Sequence, residues 1–515
     1  YLTEYEGTSV AVFPASKRLR YWMPFQDVRK TIEFLRSLVR ERPRALTFAD
    51  DGEKFGMWPK TFEWVYERGW LEQFFSAVEQ EGGWLKTATC SAYLEQHGTN
   101  GHVYLPCGSY EEMLEWSGGY FRNFFVKYPE ANAMYRKMLA VSEQVQAAGQ
   151  SVPARAPRAA GTFRARPRRL RRRSNRATYV AQAREELYKA QGNDAYWHGV
   201  FGGLYLAHLR RGVYRHLLSA EHVLDICDGS PRPRQLRDTD GDGHLEVVLR
   251  TSELGVILDP DEQGAVTELA YYPRAVNLTD TLTRRYEPYH EKLRARPKLA
   301  QAGAGQHTPV SIHDLLGIKE AGLETLLLYD DHRRSSFVDY ALATMPSLAD
   351  VMRSSWSEHR LWSGGPWTLE APRGAARDRV MASLSRRVDA GWLRKRVILF
   401  RRSDRVEFQY QFSGLRVPVT ALEWNLACLD ERYRTPIEQD AVTQFDIRDH
   451  SLGVRVMMTI DPPARLLSFP IETVSESEEG LERTPQGQAV VLCWSTANLS
   501  DWTGRVQWAI EAWSG

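Results

Sequence analysis

Three carboxylates and a lysine follow a short apolar run near the start of the chain, in residues 45–56 (ALTFADDGEKFG). The carboxylates of Asp50, Asp51 and Glu53 are close together, and their repulsion raises the pKa of at least one of them, which suits a general acid. The pattern is that of a buried strand with acidic residues at its carboxyl end, the edge at which α/β folds place their active sites. The spacing alone also fits a strand followed by a solvated acidic turn.

Residues 51–56 resemble the D-x-E-x-F-G motif of glycoside hydrolase family 57. The resemblance is to the 4-α-glucanotransferase and α-amylase type of that family, and it continues through Trp58 and Pro59. It implies that Asp51 is the catalytic acid/base and that Glu53 lines the substrate site. We expect Asp50 to contact substrate as well.

Further blocks of the chain carry the same resemblance, and most of the chain is covered: residues 104–110, 127–130 (KYPE), 193–199 (NDAYWHG), 311–313 and 469–471. The block from Asn193 to Gly203 is the most specific. The resemblance implies that Asp194 and Trp197 line the sugar-binding cleft. Taken without the resemblance, this stretch fits a helix start with a core tryptophan.

A calcium-loop pattern occurs at residues 238–246 (DTDGDGHLE). Oxygens of Asp238, Asp240 and Asp242 alternate along it, as ligands around one cation do, and its glycines allow a tight turn. It is not an EF-hand, because Leu249 occupies the twelfth position and a strand follows. The pattern also fits a charged hairpin turn without an ion, and no cofactor is expected for the reaction itself.

The composition excludes several classes of protein. The formal net charge of the 515 residues is +2, which gives no general attraction to nucleic acid or to a membrane surface. No apolar run approaches the length of a membrane span, and no signal peptide is visible. The five cysteines are scattered without a CxxC pair, which fits reduced thiols in a cytoplasmic protein and no zinc site.

The first part of the chain alternates apolar runs with helical patterns, which predicts a parallel sheet with right-handed crossovers. We predict strands at residues 9–13 and 46–49, and helices at residues 24–39 and 61–78. The resemblance implies that these are the last units of a seven-stranded β/α barrel. Residues 126–228 then read as a helical domain.

Short strands dominate after about residue 230 and predict an antiparallel β-sandwich. They are expected at residues 245–250, 254–258, 266–270, 393–400, 406–412, 421–428, 453–460 and 489–494. The predicted fold is thus multidomain, α/β plus all-β. Its domains are a barrel part at 1–125, a helical domain at 126–228 and a sandwich at 229–515.

Residues 152–176 hold ten arginines and no acidic residue. Such a basic, proline-broken stretch predicts a disordered insert, with an error in the sequence as an alternative and a polyanion-binding arm as a weaker one. Residues 288–310 have the composition of a mobile loop.

The predicted activity is that of a retaining enzyme on α-1,4-glucans, a 4-α-glucanotransferase or α-amylase. The resemblance implies a nucleophilic glutamate upstream of Tyr1, so we expect a barrel truncated at its N-terminus and little activity from these 515 residues alone. The alternatives are a non-catalytic carbohydrate-binding protein and a glucan branching enzyme. The expected partners are the glucan and, by resemblance, a second copy in a homodimer.

Overall fold

The computed structural model describes residues 1–5, 7–39, 45–58, 60–106, 108–109, 111–150, 168–199, 201–294, 319, 321–356, 365–371, 377–477 and 480–513. They fall into two compact units. The first is centred on Tyr1–Phe121, and the second contains Arg122–Arg294 and most of the later chain. None of the helices in the described ranges has both the length and the apolar character needed to cross a membrane.

The first unit consists of a β-hairpin and short helices. Its elements are β1 (Leu2–Tyr5), β2 (Thr8–Ala11), α1 (Lys17–Trp22), α2 (Val28–Ser37), α3 (Trp70–Gln80), α4 (Cys90–His97) and α5 (Glu111–Trp116). Asp27 lies at the start of α2 and caps it by accepting the Arg29 backbone N–H at 2.8 Å. A small core of Leu19, Met23, Val28, Ile32 and Trp70 joins the helices.

Two predicted strands of this unit differ from the structure. The stretch predicted at 9–13 as a buried parallel strand is mostly the exposed strand β2, which pairs antiparallel with β1 in a local hairpin. Residues 46–49 form no strand: Thr47 makes a single parallel bridge to Ala15, and Leu46 and Phe48 are exposed. A strand needs a paired neighbour along its length, and an apolar run does not reveal whether one is present.

The helix predicted at 61–78 is also interrupted. A π-helical turn covers Glu63–Glu67, and α3 begins only at Trp70. Gly69 lies between them at φ 71°, a left-handed conformation that glycine adopts without strain. In the described part of residues 1–121, strand pairing comprises the hairpin and two isolated bridges, so the β/α barrel stays a prediction.

Among its described residues, the second unit has four α-helices before its first strand and two short ones later in the chain. They are α6 (Asn123–Lys127), α7 (Pro129–Gln150), α8 (Arg168–Lys189), α9 (Ala207–Asp228), α10 (His290–Arg294) and α11 (Leu348–Met352). The disorder predicted for residues 152–176 is wrong from Arg168 onward, because these arginines begin α8. Arginine is a good helix former, and the run continues into the apolar periodicity that follows it. Residues 152–167 and 295–310 lie outside the described residues, as does the 311–313 block.

The strands of the second unit form two antiparallel sheets. They are β3 (Arg234–Arg237), β4 (Glu246–Arg250), β5 (Leu254–Asp259), β6 (Ala265–Tyr271), β7 (Val276–Asn277), β8 (Val338–Leu342), β9 (Thr368–Leu369), β10 (Arg379–Val388), β11 (Gly391–Phe400), β12 (Arg405–Ser413), β13 (Val419–Leu426), β14 (Ile437–Asp449), β15 (Val454–Ser477), β16 (Gly480–Ser495) and β17 (Asp501–Ala512). The smaller sheet has the order β3-β4-β5-β6-β7. The larger has the order β8-β13-β16-β15-β17-β12-β11-β10-β9, with β14 paired to β15.

One hydrophobic core is shared by both sheets. It contains Leu249 and Leu258 of the smaller sheet and Leu393, Phe408 and Trp508 of the larger. This arrangement agrees with the predicted antiparallel sandwich, whose strands are confirmed in place although most extend beyond the predicted ends. The division into three domains stays a prediction.

A buried lysine ties loops to the larger sheet. Lys395 of β11 pairs with Asp339 at 2.8 Å and donates to the backbone carbonyls of Gln263 at 2.8 Å and Phe337 at 2.7 Å. The Tyr410 hydroxyl donates to the same Asp339 carboxylate at 3.0 Å. A buried charge is tolerated only when it is paired and hydrogen-bonded in this way.

Candidate active site

The acidic loop of the first unit turns sharply after Asp51. A 3₁₀ turn covers Gly52–Phe55, and Asp51 is the residue that precedes it. The Asp51 side chain is 45% exposed, and its Oδ2 accepts a hydrogen bond from Arg20 Nη2 of α1 at 3.0 Å. Glu53 is exposed on the turn. Two carboxylates of the predicted site are therefore accessible to solvent on one short turn.

Lys54 holds this loop in place from its buried side. It is 3% exposed, and its Nζ lies 2.7 Å from Asp50 Oδ1 and donates to the Arg20 carbonyl at 2.8 Å. The rings of Phe25 and Trp58 lie 5.9 and 5.4 Å from the ammonium, close enough for cation–π attraction. The lysine therefore fixes the loop to α1 through paired charges rather than facing solvent.

Asp50 is the buried partner of this lysine. Its side chain is 2% exposed, and Oδ1 also accepts the Asp51 backbone N–H at 2.9 Å. Burial raises the pKa of Asp50, although the Lys54 hydrogen bond and the charges of Lys54 and Arg20 act in the opposite direction. The predicted contact of Asp50 with sugar stays a prediction, and the geometry gives this residue a role in holding the loop.

The segment around Trp197 belongs to the second unit. A 3₁₀ turn covers Asp194–Tyr196; Asp194 is exposed, whereas Trp197 is 3% exposed. The Trp197 ring meets the rings of Phe124 at 5.8 Å and Phe201 at 4.8 Å, both edge to face. The segment thus presents a carboxylate to solvent beside an enclosed aromatic cluster.

His198 closes this segment into a tight loop. Its Nδ1 lies 2.9 Å from the Gly202 carbonyl, which only accepts, so Nδ1 carries the proton; Nε2, 2.9 Å from the Tyr289 hydroxyl, then accepts from it. Burial lowers the pKa of His198 to about 4, so the ring is neutral at pH 7. Gly203 allows the closure, because a Cβ there would lie 2.3 Å from the Trp197 carbonyl oxygen.

The acidic turn of the second unit brings Asp238 and Asp240 together with Glu246 of β4. One carboxylate oxygen from each lies within 4.8 Å of the others. Among the described residues, Asp242 is not part of this group, although it was predicted to be. Asp238 also accepts the backbone N–H of Gly241 at 2.5 Å and of Gly243 at 3.1 Å, so the turn is hydrogen-bonded without an ion.

The sequence alone does not identify some residues of these sites. Arg20 and Lys54 were not assigned roles, although the spacing of Asp50 and Lys54 by four residues is an ion-pair signal on a turn. Glu246 ends the motif that suggested calcium, but only the strand following the turn brings it back to Asp238. Glu287 accepts a hydrogen bond from the Tyr205 hydroxyl at 2.8 Å across 82 positions of the chain, and no local pattern marks it.

Family models match the chain in three consecutive parts. Residues 1–106 match glycosyl hydrolase family 57. Residues 119–166 and 162–224 match the middle domain, and residues 238–507 the C-terminal domain, of the α-amylase/4-α-glucanotransferases. The last match alone spans more than half of the chain.

Curated relatives are similar along nearly the whole chain. Alpha-amylase 1 of Dictyoglomus thermophilum is 33% identical over 95% of this chain and 73% of its own length. The 4-alpha-glucanotransferase of Thermococcus kodakarensis is 34% identical over 95% of this chain and 72% of its own length. Both kinds of enzyme are therefore among the relatives.

A solved structure agrees with this assignment. The crystal structure of the 4-alpha-glucanotransferase from Thermococcus litoralis superimposes with a TM-score of 0.76 at 28% identity, covering 99% of this chain and 74% of the other. The resemblance carried by residues 51–56 and 193–199 is thereby confirmed at the level of the family. The chain belongs to glycoside hydrolase family 57, and it is an enzyme of the α-amylase/4-α-glucanotransferase type.

Proposed function

We propose that this enzyme acts on α-1,4-glucans with retention of configuration, as a 4-α-glucanotransferase or α-amylase, and that Asp51 is its acid/base. The observation that carries the proposal is the exposed Asp51 carboxylate. It lies on a loop that the buried ion pair of Lys54 and Asp50 holds in place. A group that transfers protons must face the substrate and be held in a fixed position. We propose further that the first unit is part of a β/α barrel.

The chemistry follows from the two-carboxylate scheme. In the first step, a nucleophilic carboxylate attacks the anomeric carbon while Asp51 protonates the departing glycosidic oxygen. In the second step, Asp51 takes a proton from the incoming hydroxyl, which attacks the glycosyl-enzyme. A sugar hydroxyl gives transfer, and water gives hydrolysis. Asp50 is unsuited to be the nucleophile, because its side chain is 2% exposed and bound to Lys54.

Product analysis tests this function. The protein as its organism makes it is incubated with maltotriose, and the products are separated by chain length. Longer and shorter maltooligosaccharides appearing together indicate transfer, whereas glucose and maltose alone indicate hydrolysis; proton spectra taken early should show the α-anomer, as retention requires. New α-1,6 linkages would favour a branching enzyme, and unchanged maltotriose would count against the proposal.

Asp194 is expected to bind the glucan directly. An Asp194→Asn substitution should weaken maltoheptaose binding about tenfold or more, because a carboxylate accepts stronger hydrogen bonds from sugar hydroxyls than an amide does. Trp197→Phe, which keeps a ring in the cluster with Phe124, should weaken it less. Isothermal titration calorimetry measures both dissociation constants.

The matched control is Asp389→Asn, an exposed aspartate at a strand connection in the same unit. Its dissociation constant should equal that of the parent. Equal affinity of Asp194→Asn and the parent would remove Asp194 from the binding site.

We also propose a structural calcium ion at Asp238, Asp240 and Glu246. Carboxylate oxygens are the ligands that calcium prefers, and the three groups are close enough to share one ion. The ion would neutralise the cluster and tie the turn to β4, and it takes no part in the reaction.

Chelation tests the ion. EDTA should lower the melting temperature by several degrees and excess calcium should restore it, since an ion bound only to the folded state stabilises that state. In an Asp238→Asn variant the same treatments should have little effect. If the parent melts identically with chelator and with calcium, the hydrogen bonds of the turn alone account for this motif.

A further inference from the structure

A buried glutamate is connected through two tyrosines to His198, which follows Trp197 in the segment that carries Asp194. Glu287 is 2% exposed, and its Oε1 accepts hydrogen bonds from the hydroxyls of Tyr128 at 2.6 Å and Tyr205 at 2.8 Å. Its Oε2 accepts from Lys127 Nζ at 2.5 Å. One carboxylate therefore joins the start of α7, the turn before α9 and the stretch that leads to α10.

The surroundings of Glu287 favour its ionised form. Burial by itself opposes ionisation, but the neighbouring His198 and Lys127 and the hydrogen bonds from Lys127 and Tyr128 outweigh it and lower the pKa of Glu287. Because His198 is itself neutral at pH 7, the ion pair of Glu287 is the one with Lys127. The Lys127 side chain is 40% exposed, and it therefore balances the charge from the solvent side.

Both tyrosines that Glu287 holds pack against His198. The His198 ring lies 4.5 Å from the ring of Tyr205 and 6.5 Å from that of Tyr128. Tyr205 also ends the short turn Gly203–Tyr205, whose Leu204 donates its backbone N–H to the Trp197 carbonyl at 2.8 Å. Displacing the tyrosines would thus move the backbone at Trp197 and His198.

We propose that Glu287 is a positioning residue for glucan binding: it fixes Tyr128 and Tyr205, which hold His198 and, through it, the segment that presents Asp194. This inference rests on the proposed role of that segment in binding glucan. Glu287 acts as a hydrogen-bond acceptor for two buried hydroxyls. Those hydroxyls would lose their only described acceptor if the side chain became apolar, and an unsatisfied buried donor is costly.

Four variants separate the acceptor role from charge and from general destabilisation. The double variant Tyr128→Phe/Tyr205→Phe keeps both rings and removes both hydroxyls. Glu287→Leu removes the acceptor, whereas Glu287→Gln keeps an oxygen at Oε1 and lets Lys127 turn to solvent. Tyr410→Phe is the matched control, because it removes a buried tyrosine hydroxyl from a lysine-paired carboxylate of the sheet.

The measurement is the dissociation constant of maltoheptaose, taken by calorimetry on each full-chain variant at a temperature at which circular dichroism shows it folded. The double variant and Glu287→Leu should bind at least tenfold more weakly than the parent. Glu287→Gln should stay within threefold of the parent, and Tyr410→Phe within twofold, even if its melting temperature falls. If Glu287→Leu fails to fold, the double variant decides the matter, since it retains all ring packing.

Parental affinity in the double variant would overturn the inference, as would an equal loss of affinity in Tyr410→Phe. Asp194→Asn distinguishes this failure from failure of the proposed function. If Asp194→Asn weakens binding and the double variant does not, Glu287 is only structural and the segment still binds glucan. If Asp194→Asn binds maltoheptaose as the parent does, or the parent does not bind it, the segment has no role in glucan binding. The inference about Glu287 is then wrong as well.

Discussion

Asp51→Asn should lower the turnover of maltooligosaccharides by roughly 10³-fold, the range expected when a general acid/base is lost. The amide cannot give a proton to the departing sugar oxygen or take one from the acceptor. The fold should be unaffected, because the side chain is 45% exposed and the asparagine oxygen still accepts from Arg20. The measurement is kcat and kcat/KM in the protein as its organism makes it, together with the melting temperature.

A substrate with an activated leaving group makes the test of Asp51 specific. A 4-nitrophenyl maltooligoside needs little protonation of its leaving oxygen, so its glycosylation step should suffer far less in Asp51→Asn than that of a natural glucan. Glu53→Gln, an isosteric change two residues away, is the control and should not show this selectivity. Near-parental turnover of maltotriose by Asp51→Asn, or equal losses in the glycosylation step of both substrates, would exclude the assignment.

Lys54→Met should destabilise the first unit by about 3–5 kcal/mol, which is the usual cost of leaving one member of a buried ion pair without its partner. The methionine preserves the packing of the lysine stem against the surrounding rings but leaves the Asp50 carboxylate buried without its cation. Calorimetric scans should show the transition of the first unit at a clearly lower temperature. Activity should fall too, because the loop that carries Asp51 loses its anchor.

The double variant Asp50→Asn/Lys54→Met is the control for this effect. With both charges gone, a large part of the loss should be recovered, so the two substitutions should be strongly non-additive. Additive losses would contradict the pairing of Asp50 with Lys54.

The pH dependence of the Lys54→Met variant gives an independent check. Burial already raises the pKa of Asp50, and removing Lys54 removes the strongest opposing influence. A carboxyl whose folded pKa lies above its unfolded value of about 3.9 loses stability as the pH rises from that value to the folded pKa. The variant should therefore regain stability as the pH is lowered towards the unfolded value of Asp50, and it should regain more than the parent does.

The sequence predicted the second unit better than the first. Strands such as β11 and β12 alternate buried and partly exposed residues between clear turns, so the local sequence is enough to predict them. The apolar residues at 46–49 also predicted a strand. Whether such a run forms a strand depends, however, on a pairing partner elsewhere in the chain. The arginines at the start of α8 show the reverse error, because composition suggested disorder where helix propensity prevailed.

The candidate site was predictable only where residues cluster along the chain. Asp50, Asp51 and Glu53 are neighbours in sequence, and the motif they form resembles a family with known chemistry. The contacts that hold this loop depend on α1, because Lys54 donates to the Arg20 carbonyl across 34 positions of the chain. Glu287 lies 82 positions from Tyr205, so their hydrogen bond has no signature in a single sequence.

The neutral ring of His198 has a consequence for enzyme kinetics. His198, Glu287, Tyr128 and Tyr205 form a buried cluster. The pKa of His198 is about 4, the pKa of Glu287 is lowered and those of both tyrosines are strongly raised, so none of these four groups titrates between about pH 5 and pH 9. Substrate affinity contributed by this cluster should then be level across that interval. The ascending and descending limbs of a pH–rate profile would report the carboxyl groups that exchange protons with the glucan, free of a superimposed binding titration from this cluster.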